Sequence, residues 1–236
     1  MQAYLRWVKT TKLSTSTIMK LTIGLSVITI ASIAALTGIA PNKTNHVKPT
    51  ATTINYIRFT KPVVFKVDNQ TSKLTWLAKK ATGEHTGTVE VSDGSFTLDN
   101  NTLKAGSFDI DTRSITDTDI TDEGANGKLV THLKSDDFFS VEKHPKANFV
   151  LTSATKAAGN TYNVKGNLTI KGITNEVAFP ATVAVNGKKL TANAKITIDR
   201  TKYDIKFRSK NFFENLGDKV IYDDFDINVA LVANAQ

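Results

Sequence analysis

The chain has 236 residues, no cysteine and a formal net charge of +8. Without cysteine there is no disulfide, no thiol nucleophile and no lipid-modified cysteine. The positive charge is local: Arg6, Lys9, Lys12, Lys20, Lys43 and Lys48 fall in residues 1–50, which hold no acid, whereas 24 basic and 22 acidic residues follow. A remainder this close to neutral lacks the concentrated basic face that a nucleic-acid partner requires.

Residues 21–40, LTIGLSVITIASIAALTGIA, carry no charge over twenty positions, enough to span a bilayer as a helix. The positive flank precedes this hydrophobic helix, so the chain after residue 40 is expected outside the cytoplasmic membrane, in the periplasm or cell envelope. Two readings stand side by side for residues 1–40. Gly38 and Ala40 form a small-x-small site, which fits a cleaved signal peptide. Pro41 directly after it, and an apolar run longer than the usual signal core, fit a retained membrane anchor through residues 21–40. Met19 offers a second start. Residues 41–62 are polar, Thr/Asn-rich and bounded by Pro41 and Pro62, and read as a linker.

From Val63 onward, the domain at 63–236, the dominant period is two. In LTANAKITID (190–199), Leu190, Ala192, Ala194, Ile196 and Ile198 share one face, the mark of a half-buried strand. YNVKGNLTI (162–170), TVEV (88–91), SFTL (95–98), GSFDID (106–111) and the C-terminal run, which has Tyr222, Ile227, Val229 and Leu231 among its apolar positions, behave likewise. Asp93-Gly94, Asn100-Asn101, Gly159-Asn160, Lys171-Gly172 and Asn186-Gly187 read as turns, the last as a type I′ hairpin. Connections this short join antiparallel neighbours. Eight to ten such strands make an all-β domain, a closed barrel or a sandwich.

The exception to the strand pattern is the region 113–145. There Ser135 is expected to cap a short helix through SDDFFSVEK, stopped at His144-Pro145. Small residues on inward faces (Gly87, Gly106, Gly166, Ala181, Ala192, Ala194) favour a barrel with room for a ligand. Phe108, Phe149 and Phe179 on the same faces offer the opposite outcome, a filled interior.

No motif for catalysis appears: there is no Gly-x-Ser-x-Gly, no His-Glu-x-x-His and no phosphate-binding glycine loop. Asp117, Asp119, Asp122 and Glu123 lack EF-hand spacing and read as a solvated acidic loop. No metal and no cofactor is expected.

Five stretches resemble the YceI-like family in the family's order: VFKVDNQTSKLTW (64–76), GEHTGTV (83–89), HLKSDDFFSVEKHPKANF (132–149), VKGNLTIKGITNEV (164–177) and IDRTKYDI (198–205). The resemblance implies an extended eight-stranded antiparallel lipocalin-like barrel with a short helical insertion and an elongated apolar cavity. It implies non-enzymatic binding, storage or transport of a polyisoprenoid, a quinone-like lipid or another long-chain amphiphile, and is compatible with a homodimer. The alternative is a ligand-free interaction or stress-protection module with a filled barrel. One departure stands out: Asp204 follows Tyr203 where many family members carry glycine.

The expected ligand-binding set is Trp76, His85, Phe96, Phe108, Phe138, Phe139, Phe149, Leu168, Phe179, Arg200, Tyr203 and Phe212. Trp76 is expected to close one barrel end. One ring of the Phe138-Phe139 pair is expected to face the cavity and the other to pack into the wall. Arg200 and Tyr203 are the polar candidates for a head group, with a surface salt bridge as the competing role of Arg200. His85 would reach a head group or satisfy a buried backbone group. Phe212 and Phe213 would rim an opening.

Overall fold

The computed structural model describes residues 61–236. The signal-or-anchor segment, and the linker up to residue 60, lie outside the described residues. The strands are β1 (Val63–Val67), β2 (Lys73–Lys80), β3 (Gly83–Asp99), β4 (Thr102–Asp117), β5 (Lys146–Lys156), β6 (Thr161–Ile170), β7 (Ile173–Asn186), β8 (Lys189–Asp199) and β9 (Ile221–Ala235). One α-helix, α1 (Glu123–Lys134), separates β4 from β5, and a 3₁₀ turn (Arg200–Tyr203) follows β8.

All pairings are antiparallel, and nine strands close into eight staves. β1 pairs with β3 (Val63 opposite Leu98) and with β9 (Val67 opposite Ala233). β2 pairs with the same two strands further along, Leu74 opposite Val89 and opposite Val229. β1 and β2 are therefore one stave interrupted at residues 68–72. There Asp68 Oδ1 accepts the Gln70 and Thr71 amides and turns the chain outward. β4 pairs with both β3 and β5, which closes the ring. No helix among the described residues is long and apolar enough to cross a membrane.

Two expected turns sit differently. Asp93-Gly94 does not end a strand. β3 runs continuously through it as a 17-residue strand whose register against β4 shifts between Val91 and Asp93. This is a bulge, which bends a long strand round a barrel without breaking it. Asn186 pairs with Lys189, so the central residues of that hairpin are Gly187 and Lys188, and only Gly187 has positive φ. That is the type II′ pattern rather than type I′. Both central residues are left-handed at Asn100-Asn101 and Lys171-Gly172, the type I′ pattern.

The helix is also displaced from its expected place. Asp122, not Ser135, is the N-cap: its side chain accepts from the Ala125 amide at 2.7 Å. Ser135 caps the other end, its amide and hydroxyl both donating to His132 O. α1 buries no residue completely. With glycines at 124 and 127 and no apolar stripe, it leaves no helical period to detect. Residues 113–117, expected in the irregular region, extend β4.

Pro180 lies within β7. It pairs with Asn163 of β6, and the β7–β8 ladder begins only after it, at Ala181 opposite Ala194. Proline has no amide to offer a second neighbour, so the seam between β7 and β8 parts at this residue. The 3₁₀ turn bridges the gap: Asn175 Nδ2 donates to Lys202 O at 3.0 Å.

Candidate functional site

The interior of the barrel holds a cavity of about 220 Å³. A single water needs roughly 10–15 Å³ of such space, so this is a chamber, not a packing defect. Its wall is apolar almost throughout. Ala181, Ala192, Ala194 and Gly106 contribute to it, as their inward spacing suggested.

Four phenylalanines arc round that wall. Phe96 of β3 lies 4.8 Å from Phe108 of β4, Phe108 stacks at 6.1 Å on Phe149 of β5, and Phe149 meets Phe179 of β7 at 5.7 Å between centroids. The arc skips β6, and Gly166 is the reason. A Cβ there would lie 2.3 Å from the Phe149 ring. Glycine opens the passage through which Phe149 reaches across to Phe179. Such offset and tilted rings are favourable beyond their buried area. Some inward glycines thus make room for neighbouring rings rather than for a ligand, yet a chamber remains.

The Phe138-Phe139 pair lies under the C-terminal end of α1. The Phe139 amide donates to Leu133 O, that of Ser140 to Ser135 O and that of Val141 to Lys134 O, folding the segment back on the helix end. Both rings line the cavity. This corrects the expectation that only one would. Phe138 is also clamped edge-on by His132 (4.9 Å) and tilted on Phe207 (5.6 Å), while Phe139 meets the edge of Phe225 (6.4 Å). Trp76 is buried and lines the cavity, and its indole Nε1 donates to Thr116 O at 3.0 Å. Leu168, another expected residue, is in the wall as well.

Arg200 lines one end of the cavity but is not a free cation. It is only 4% exposed. Nε donates to Tyr222 O (3.0 Å), Nη1 to Ile205 O (2.8 Å), and Nη2 to Ile221 O (3.0 Å) and Asp223 Oδ1 (3.3 Å). Burial lowers its pKa, opposed by the charges of Asp223 and Asp199. The guanidinium ties the 3₁₀ turn to the start of β9, which leaves it a structural tie rather than a head-group receptor. The expected surface salt bridge is in fact a buried one, to Asp223.

Three of the expected residues stand outside the wall. Tyr203 is buried, and its burial raises its pKa, but it does not line the cavity. Asp199 caps the preceding turn at Thr201, and Asp204 ends it in the left-handed region at φ 58°. Tyr203 belongs instead to the buried core, with Ile205. Phe212 is 50% exposed, with Lys206 Nζ 5.1 Å above its ring, and Phe213 beside it is 48% exposed. Both rings hang from Ser209 O through their amides. His85 lies with Asp119 at 2.9 Å and with Asp117, away from the cavity.

Sequence reasoning missed Thr112, Asn193 and Tyr222, polar or amphipathic groups of the wall. Tyr222 is 50% exposed and also borders the cavity. Strand alternation could not have found it, because its position has the opposite parity to Ile227, Val229 and Leu231 and belongs to the outer face. Thr112 Oγ1 is committed to His144 O at 2.7 Å.

The family model described as "YceI-like domain" matches residues 65–233. A UPF0312 protein of Pseudomonas putida (strain W619) is 32% identical over 128 residues, covering 51% of this chain and 63% of that protein. A UPF0312 protein of Photorhabdus laumondii is 32% identical over 142 residues, covering 56% and 66%. The matches thus span less than two thirds of those relatives' lengths. Among solved structures, BcnA of Burkholderia cenocepacia superposes with a TM-score of 0.59 at 26% identity, covering 71% of this chain and 99% of BcnA. A polyisoprenoid binding domain from Saccharophagus degradans superposes with a TM-score of 0.55 at 15% identity, covering 73% and 98%, and shares the fold.

Proposed function

The chain belongs to the YceI-like family, and from that premise we propose that it binds a long-chain amphiphilic lipid of the polyisoprenoid type in its barrel, outside the cytoplasmic membrane and without catalysis. The observation that carries this reading is the apolar chamber of about 220 Å³ bordered by phenylalanines. An apolar tail moved from water into it gains about 0.8 kcal/mol per CH₂ before ordering costs. The wall offers a tail everything and a charge nothing. Head-group selection therefore falls to the place where the chamber meets solvent. The filled-barrel alternative calls for a packed interior, and the chamber speaks against it. The polyisoprenoid binding domain of S. degradans supports the choice of ligand class by analogy of fold.

Export rests on residues 21–40, which would deliver the barrel across the membrane or tether it there. The test is native mass spectrometry of the full chain purified without added lipid, then organic extraction, with Ala192→Phe in parallel. Phenylalanine at 192 fills the chamber from β8. Wild type should carry a hydrocarbon adduct or take up added polyprenyl lipid. The variant, folded by circular dichroism, should bind at least tenfold less. An apo mass with no uptake of polyprenyl lipids or quinones refutes the reading.

A further inference from the structure

Outside the cavity, His85, Asp117 and Asp119 each present one ligand atom within 4.8 Å of the others. Acidic groups gather at surfaces for many reasons, so convergence alone means little. Asp117 sets this group apart. It is 8% exposed, and its Oδ1 accepts from the Ile120 amide (2.9 Å) and Asn126 Nδ2 (3.0 Å). Its Oδ2 is buried with no hydrogen-bond partner. A buried carboxylate oxygen left unmatched is costly, and a second carboxylate within contact, that of Asp119, makes it costlier. The vicinity of two carboxylates and an imidazole calls for a cation between them.

The fold builds this group deliberately close. Asp117 ends β4 opposite Gly87 of β3, two residues from His85. A Cβ at Gly87 would lie 1.9 Å from Thr116 O and 2.7 Å from the Trp76 ring, so only glycine lets β4 approach. The chain then turns, and Asp119 Oδ1 takes the Thr86 amide at 2.7 Å while Oδ2 sits 2.9 Å from His85 Nδ1.

We propose that His85, Asp117 and Asp119 bind one divalent transition-metal ion of the zinc class. Ligand atoms around tetrahedral zinc stand roughly 3.3 Å apart, given metal–ligand distances of about 2.0–2.1 Å. The observed 2.9 Å pair reaches that by small side-chain rotations. One nitrogen and two oxygens suit zinc, whereas calcium asks for six to eight oxygens. The Ile120 and Thr86 amides and Asn126 hold the carboxylates from behind, as outer partners of a metal site do. Asp119 is exposed, which leaves a fourth position open to water. The ion would pin the end of β4, just ahead of α1, to β3.

The experiment strips the full chain with EDTA and titrates Zn²⁺ against a chromophoric competitor, following Tm alongside. One equivalent should bind and raise Tm, since an ion that prefers the native state stabilises it. Asp117→Asn and His85→Gln should each weaken binding tenfold or more. Asp119→Asn, at an exposed position, gives the same readout should the buried change impair folding. His132→Gln, which removes the His132–Asp137 pair at 2.9 Å, should leave the Zn²⁺ affinity unchanged. No saturable Zn²⁺ binding, or binding unaffected by all three ligand variants, overturns the proposal. So would a proton shared by Asp117 and Asp119 in the presence of excess Zn²⁺, read by carboxyl infrared bands.

Discussion

The middle of the barrel and its end at Arg200 border the same cavity with opposite chemistry. In the middle, Phe96, Phe108, Phe149 and Phe179 meet ring to ring, and nothing polar is required of any of them. At the end, one guanidinium holds three carbonyls and a carboxylate in a space that is 4% exposed. The middle is stabilised by area and tolerates a void. The end is stabilised by matched donors and acceptors and tolerates no loss. An arginine at the end of an apolar cavity invites a reading as an anion receptor. Its bonds show a strut that holds β9 to the turn after β8.

The largest effect should come from breaking that strut. Arg200→Leu removes the charge and leaves the carbonyls of Ile205, Ile221 and Tyr222 and the Asp223 carboxylate facing an apolar side chain. We expect a loss of about 3 kcal/mol or more in chemical denaturation. A loss below about 1 kcal/mol would return Arg200 to the list of free cations and reopen the head-group role.

An intermediate effect tests the outer face of the same wall. Asn148 Nδ2 at 2.8 Å, then Lys146 Nζ at 3.0 Å, hold the Asp109 carboxyl below its ordinary value. A carboxylate with a depressed native pKa adds stability above the unfolded value of 3.8 and loses it as pH falls through the native one. Between pH 5 and 2 the wild-type Tm should therefore fall more steeply than that of Asp109→Asn. Parallel curves would mean that the pairing contributes nothing to acid stability. Asp111 and Asp226, held low by Arg113 and by Thr197 with Lys195, contribute in the same direction.

The smallest effect concerns the departure at Asp204. Its φ of 58° lies where glycine is at home and aspartate is tolerated. Asp204→Gly relieves that strain and gives up an exposed contact with Lys206, which is worth little. The Tm should rise by about 1–3 °C. A fall would show that the Lys206 contact, or the added freedom of the unfolded chain, outweighs the strain.

Much of the wall was legible in sequence because strand alternation has a period of two, and a closed barrel has only an inside and an outside. Leu190, Ala192, Val183 and Phe179 could face only one way. The Phe138-Phe139 pair, in contrast, could not be oriented by counting. Its two rings are turned to the same side by amides that fold back on the end of α1. The 12-residue helix itself was misplaced by one segment, because it has no apolar stripe to announce it.

By itself, then, the amino-acid order determined an antiparallel all-β domain, its inward residues, most of its hairpins and its family. Those follow from local chain geometry and the burial of alternate side chains. Tertiary structure alone decided that nine strands make eight staves, that Gly166 makes room for a neighbour's ring, and that Arg200 is spent on carbonyls of β9 and of the segment after the 3₁₀ turn. It alone brought His85 to Asp117 and Asp119, over thirty positions away. Pairing across such separations depends on where the barrel closes, and no short window of sequence contains that closure.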